Sequence, residues 1–193
     1  MTINAYQLQA LRDLSISISD LGCIMLDVES PIPVADVLPE AWAYRSSNPD
    51  LKHVSGIQTE HHVTLLFGLL PQVRRAHVDE VLAGWDGLDV AVKTDQLDVF
   101  PSPLPDEPYS CIVARQTSPS REIAGAHARL SMLPHINTHP TFKAHVTLAY
   151  VHRDRTQDAL TELRRTFKAR DVYVPILFHP TGLNYGSTIG GQP

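Results

Sequence analysis

The sequence predicts an α+β fold of two similar lobes related by an approximate twofold. Three observations carry this reading. Apolar runs of strand length alternate with segments whose apolar residues recur at helical spacing. The succession strand, helix, motif strand, helix occurs twice along the 193 residues. One tetrapeptide is repeated within the two motif strands, as His62-Val63-Thr64-Leu65 and His145-Val146-Thr147-Leu148. No linker or low-complexity segment divides the chain, so residues 1–193 read as one two-lobed domain, with 1–19 as an N-terminal helical extension.

In chain order, Ile3, Leu8, Leu11 and Leu14 follow a loose helical pattern, and the polar stretch Ser15 to Ser19 ends it. Leu21 to Val28 is a continuous apolar strand, stopped by Pro31 and Pro33. A short helix is expected within Val34 to Ala43, near Pro39. Trp42 and Tyr44 follow in a segment rich in Ser, Asn and Pro, where the rings either stack on a base or close over the core. Ile57 to Leu70 holds the first motif strand. Pro71 to Ala83 reads as a helix with Val73, Val78, Val81 and Leu82 on its apolar side and Gly84 beyond its end.

Leu88 to Val92 and Asp95 to Phe100 alternate as strand or as a hairpin pair. Pro101, Pro103, Pro105 and Pro108 stiffen the loop that follows. Tyr109 to Ala114 is the next strand, and Tyr109 at its loop edge is another ring for stacking or for core packing. Ser118 to Leu133 reads as a helix, capped by Ser118 or Ser120, with Ile123, Ala124, Ala128 and Leu130 as its apolar side. Phe142 to Val151 holds the second motif strand. A helix from Arg153 to Lys168 turns Leu160, Leu163 and Phe167 inward, and Val172 to Phe178 is the last clear strand. The tail from Gly182 has room for one more short strand.

Composition bounds the partners. A 43% hydrophobic content supplies an ordinary core. A net charge of −5 offers no basic field for long duplex nucleic acid, although one local site suffices for a small nucleotide or a short oligonucleotide. Cys23 and Cys111 lie inside apolar runs and read as buried free thiols of a reducing compartment. No apolar run approaches the roughly 20 residues of a membrane span. The start lacks a basic stretch followed by an apolar one. A cytoplasmic protein without a membrane partner is therefore expected. His135, His139 and His145 match no common zinc spacing, so neither metal nor cofactor is expected.

Strand side chains alternate, so His62 shares a face with Thr64, and His145 with Thr147. Laid side by side, the two strands would offer two imidazoles and two hydroxyls to one cleft. That set suits in-line attack at phosphorus: one base, one acid and two donors for the phosphoryl oxygens. Two further copies, His139-Pro140-Thr141 and His179-Pro180-Thr181, carry a central proline that cannot donate to a ladder, so neither reads as mid-strand. Glu60 falls on the His62 face by the same alternation, where a carboxylate would orient the imidazole, and His61 falls on the opposite one. Lys143 shares the His145 face, where it either contacts a phosphate or ends the strand as a surface charge.

The pair of His-x-Thr strands resembles the two-histidine (2H) phosphoesterase superfamily, which includes LigT-like RNA 2′,3′-cyclic phosphodiesterases and phage enzymes that destroy cyclic-oligonucleotide immune signals. The likeness extends from about Leu21 to about Leu183. Within it, Leu97-Asp98-Val99-Phe100-Pro101-Ser102 is similar to the strand ending in Phe-Pro of LigT-like proteins, and Ala144 stands where family members often have proline. The resemblance implies largely antiparallel sheets lining a central cleft, with helices outside. It implies catalysis by His62, Thr64, His145 and Thr147 without a metal, on 2′,3′-cyclic phosphates or cyclic-oligonucleotide signals, the latter in an anti-CBASS role. An RNA-end 2′,3′-cyclic phosphodiesterase or 2′-5′ ligase-like enzyme remains the alternative, as does a non-catalytic nucleotide sponge. Glu60, Lys143, Tyr109, Trp42 and Tyr44 are the expected substrate-binding residues.

Overall fold

The structure, a computed structural model, describes residues 12–13, 15–16, 21–27, 32–48, 51, 54–85, 90–93, 96–102, 104–115, 121–137, 141–170, 173–176 and 183–185. Eight strands run in chain order among them: β1 Gly22–Asp27, β2 His62–Leu69, β3 Val90–Lys93, β4 Leu97–Pro101, β5 Tyr109–Arg115, β6 His145–His152, β7 Tyr173–Ile176 and β8 Leu183–Tyr185. The α-helices are α1 Arg75–Val81, α2 Arg121–Leu130 and α3 Thr156–Arg170. Six strands form one antiparallel sheet in the order β4-β5-β6-β2-β1-β8, and β3 pairs with β7 in a second, two-stranded sheet. The fold is thus α+β with antiparallel sheets, as expected.

The alternation of β1, β2, β5 and β6 makes one face of the large sheet apolar. Ile24, Leu26, Val63, Leu65, Ile112, Ala114, Val146 and Leu148 are all buried in the main core. The helices supply its other half. Val78 enters from α1 and Leu82 from just beyond it, α2 contributes Ile123, Ala126 and Leu130, and α3 contributes Ala159, Leu160, Leu163 and Phe167. Each such side chain, once buried, stabilises the fold by roughly 1.5–3 kcal/mol before the entropy of ordering it is counted. A smaller cluster of Val54, Tyr109, Cys111 and Val113 lies apart from this core, with Tyr44, Leu51, Phe100 and Tyr150 packed against it.

Several elements depart from the sequence expectation. Of the strand or hairpin read over Leu88–Val92 and Asp95–Phe100, the strand reading holds for the described residues, as β3 and β4, and the hairpin does not, because β3 pairs with β7 and β4 with β5. The apolar side of α2 uses Ala126, while Ala124 and Ala128 are exposed: burial of Ile123, Ala126 and Leu130 follows a three-to-four-residue step that the other two alanines miss. Helix α1 starts at Arg75 rather than Pro71, and its first turn is closed by Arg74 and His77. Arg153–Arg155 forms a tight 3₁₀ turn leading into α3, and the short helix near Pro39 is a 3₁₀ turn over Glu40–Trp42. Gly84 follows α1 at φ +69°, the left-handed conformation expected of it. Most of the expected N-terminal helix, and the caps at Ser118 and Ser120, lie outside the described residues.

The two motif strands meet in an unusual way. β2 and β6 are antiparallel neighbours, yet they are paired at a single position, Val63 with Val146. Both strands begin there and run in opposite directions, so they overlap only over the His-x-Thr triplets. Beyond the overlap, other segments take the vacated edges. Tyr44, Gly56 and Gln58 bond along β6, through Tyr44 N to Tyr150 O (2.8 Å), Tyr150 N to Gly56 O (2.9 Å) and Gln58 N to Leu148 O (2.9 Å). The segment 134–136 bonds along β2, through Ile136 N to Gly68 O (2.8 Å) and Leu70 N to Pro134 O (3.1 Å). Gly68 is required for this approach: its φ is +95°, and a Cβ there would stand 2.2 Å from the Ile136 carbonyl oxygen.

Candidate active site

The Val63–Val146 pair decides how the motif residues face one another. One antiparallel step to either side sets His62 opposite Thr147 and Thr64 opposite His145. Val63 and Val146 are buried on the helix-covered face, whereas His62, Thr64, His145 and Thr147 are all half-buried on the other. The four side chains form a small lattice with imidazoles on one diagonal and hydroxyls on the other. Diagonal neighbours in such a pair lie about 7–8 Å apart, a spacing that lets two rings bracket one phosphoryl group. The four residues expected to act together are therefore brought together.

His145 is the better defined of the two rings. Its Nδ1 lies 2.7 Å from the Lys143 carbonyl oxygen, which only accepts, so Nδ1 carries the proton and the neutral ring keeps its Nε2 lone pair free. The ring meets Phe100 edge-on at 4.9 Å between centroids. Burial, foremost, lowers its pKa from the usual imidazole value; the Lys143 carbonyl opposes this, His62 adds to it, and Asp98 opposes it slightly. That His62 is felt at all agrees with the lattice. Thr147 Oγ1 lies 3.9 Å from Cys111 Sγ, a thiol that burial pushes up to about 11.

The expected substrate-binding residues fare differently. Glu60 is exposed in a bend ahead of β2, so strand alternation does not reach it. Lys143 is exposed just before β6, with Nζ 6.0 Å from the centre of the Phe100 ring. The three rings proposed for stacking are engaged in packing instead. Trp42 rests on the main core. Tyr44 donates from its hydroxyl to Glu107 Oε2 at 2.8 Å, and Ser46 donates to the other carboxylate oxygen at 2.8 Å. Tyr109 is only 5% exposed, tilted against Tyr44 and edge-on to Tyr150, because these rings close over it. His61 faces away from the lattice, as expected, and is 6% exposed with neither ring nitrogen hydrogen-bonded. Burial and the neighbouring His62 lower its pKa to about 4.

Sequence periodicity passed over three neighbours of His145. Arg115 is its cross-strand partner on β5, and Arg115 Nη1 donates to Asp98 Oδ2 at 2.7 Å. Phe100 comes from the same strand as Asp98. Arg115 shares its parity with Tyr109, Cys111 and Val113, a signal that could have placed it on the same face. Neither Cys23 nor Cys111 forms a disulfide, and both thiols are buried. Among the described residues no cluster of His, Cys, Asp or Glu stands ready to hold a metal ion, and no helix is long and apolar enough to cross a membrane.

Neither a protein-family model nor a curated protein matches the chain. Among solved structures it is similar to Kluyveromyces marxianus Usb1. The form with uridine monophosphate matches at 10% identity, 79% of this chain, 81% of that chain and a TM-score of 0.43. Another structure of the same protein matches at 12% identity, the same coverages and a TM-score of 0.45.

Proposed function

We propose that the chain is a phosphodiesterase that hydrolyses cyclic nucleotide phosphodiesters by two-histidine acid–base catalysis. The supporting observation is the overlap of β2 and β6 over their His-x-Thr triplets alone, with both imidazoles and both hydroxyls on one accessible face. His145 is the base. Its Nδ1 is held as a donor and its lowered pKa keeps it neutral at pH 7, so Nε2 can take a proton. In the reaction Nε2 removes a proton from water, the oxygen bonds to phosphorus in line with the departing ribose oxygen, and the P–O bond breaks. His62, protonated, gives its proton to that oxygen. Thr64 and Thr147 donate to the non-bridging oxygens as charge builds on them.

The same reading takes residues 1–193 as one two-lobed unit with an approximate twofold. In support, exchanging β1, β2, β3 and β4 for β5, β6, β7 and β8 merely reverses the order of the large sheet and leaves the β3–β7 pair unchanged.

The test is turnover in EDTA against 2′,3′-cyclic mononucleotides, RNA ends bearing a 2′,3′-cyclic phosphate, cyclic dinucleotides and 2′-5′ oligomers. At least one class should be hydrolysed by the wild type and not by His62→Ala or His145→Ala. Binding across the panel without turnover would make the protein a sponge and end the enzymatic reading.

A further inference from the structure

The two catalytic rings have unlike flanks, and the flank of His145 carries a cation whose use the mechanism leaves open. Arg115 and His145 are directly opposed across β5 and β6. Such a pair lies about 5 Å apart at Cα with both side chains on one face. Arg115 thus stands one strand outside the lattice, next to the base and two strands from Thr64. The corresponding backbone partner of His62 on β1 is acidic, Asp27. A basic group therefore borders the site on the β5 side.

Asp98 on β4 holds the guanidinium through Nη1 alone. Among the described residues no other side chain engages its fork, and the Arg115 side chain is 32% exposed. A half-exposed ion pair of this kind contributes at most about 1 kcal/mol to stability. As a binding device it is better suited: a guanidinium fixed at one nitrogen presents its remaining N–H donors in the planar fork that matches phosphate oxygens.

We infer that Arg115, braced by Asp98, binds a second phosphate of the substrate, one strand outward from the phosphorus attacked between His62 and His145. The substrate is therefore an oligonucleotide with at least two phosphates rather than a mononucleotide. This rests on the phosphodiesterase reading for the identity of the first phosphate, and Arg115 is a specificity residue with no part in proton transfer.

Equilibrium binding separates the two claims, since it needs no turnover. The probes are a 3′-phosphorylated dinucleotide, with two phosphates, and the 3′-mononucleotide, with one. Wild type should bind the dinucleotide more tightly, with a log Kd against log salt slope steeper by about 0.7. Arg115→Gln should weaken dinucleotide binding about 10- to 100-fold and abolish the added slope, while changing mononucleotide binding less than about 2-fold. Asp98→Asn, which loosens the brace, should weaken the dinucleotide by about 3-fold. Equal losses on both probes, or no loss, overturn the inference. So does a wild type that does not distinguish one phosphate from two, a result readable even if Arg115→Gln fails to fold. A wild type that discriminates the probes through Arg115 yet hydrolyses nothing would leave the second-phosphate site standing and remove the catalytic reading.

Discussion

The strands β2 and β6 begin with the same four residues, and over seven positions they show the same order of buried and half-buried side chains. Their surroundings differ. His145 has an aromatic edge at 4.9 Å, a lysine over that ring and an arginine across the next strand. His62 follows a buried imidazole and pairs across β1 with Asp27. Equal local sequence thus produces equal backbone placement, whereas non-local neighbours assign each ring its task.

The sharpest way to break the comparison is to remove one ring at a time. His62→Ala and His145→Ala should each lower kcat by about 10²–10⁴-fold with little change in thermal stability, because both rings are half-buried rather than core. Their pH profiles should diverge. The acidic limb of kcat/KM belongs to the base, and the lowered pKa of His145 sets it below pH 6.5. His62→Ala should keep that limb and lose the basic one, and His145→Ala should do the reverse. The opposite pattern would interchange the two roles.

A smaller effect is expected at the hydroxyls. Thr64→Val and Thr147→Val should each cost about 10²-fold in kcat with KM nearly unchanged, as for loss of one donor to a developing oxyanion. A change in KM alone would mean that the hydroxyls hold the ground state instead.

His61 extends the comparison to stability, since β6 has Ala144 at the matching place. A buried histidine with its pKa lowered to about 4 stays neutral in the folded chain, while the unfolded chain takes up a proton near pH 6.5. Folding stability is then fully present above pH 6.5 and falls as pH drops from 6.5 toward 4. His61→Leu should flatten this loss, worth on the order of 2 kcal/mol at pH 4.5, and should also raise stability at pH 7 by relieving two unbonded ring nitrogens. Urea midpoints at the two pH values read both effects. The least effect belongs to Glu60→Gln: in its exposed bend it should change kcat less than about 2-fold.

The sequence carries much of this site. Period-two alternation put His62 with Thr64, His145 with Thr147 and His61 opposite, because the residue-to-face relation within a strand is local. The same logic failed at Glu60, where the chain bends before β2 begins. It could not reach Asp98, Phe100 or Arg115, whose approach to His145 depends on which strands pair and in what register. The rings of Tyr109 and Tyr44 were legible as aromatic but not as covered, since their lids, Tyr150 and Glu107, come from elsewhere in the chain.

The single Val63–Val146 rung has a further bearing. The separation of the two imidazoles follows from one backbone pairing whose residues bury their aliphatic side chains in the core, which no reacting atom meets. Trimming either valine to alanine would keep all four catalytic side chains and loosen the packing beneath the strand pair that carries them. Turnover in such variants would work as a strain gauge, reading interior packing through a chemical rate.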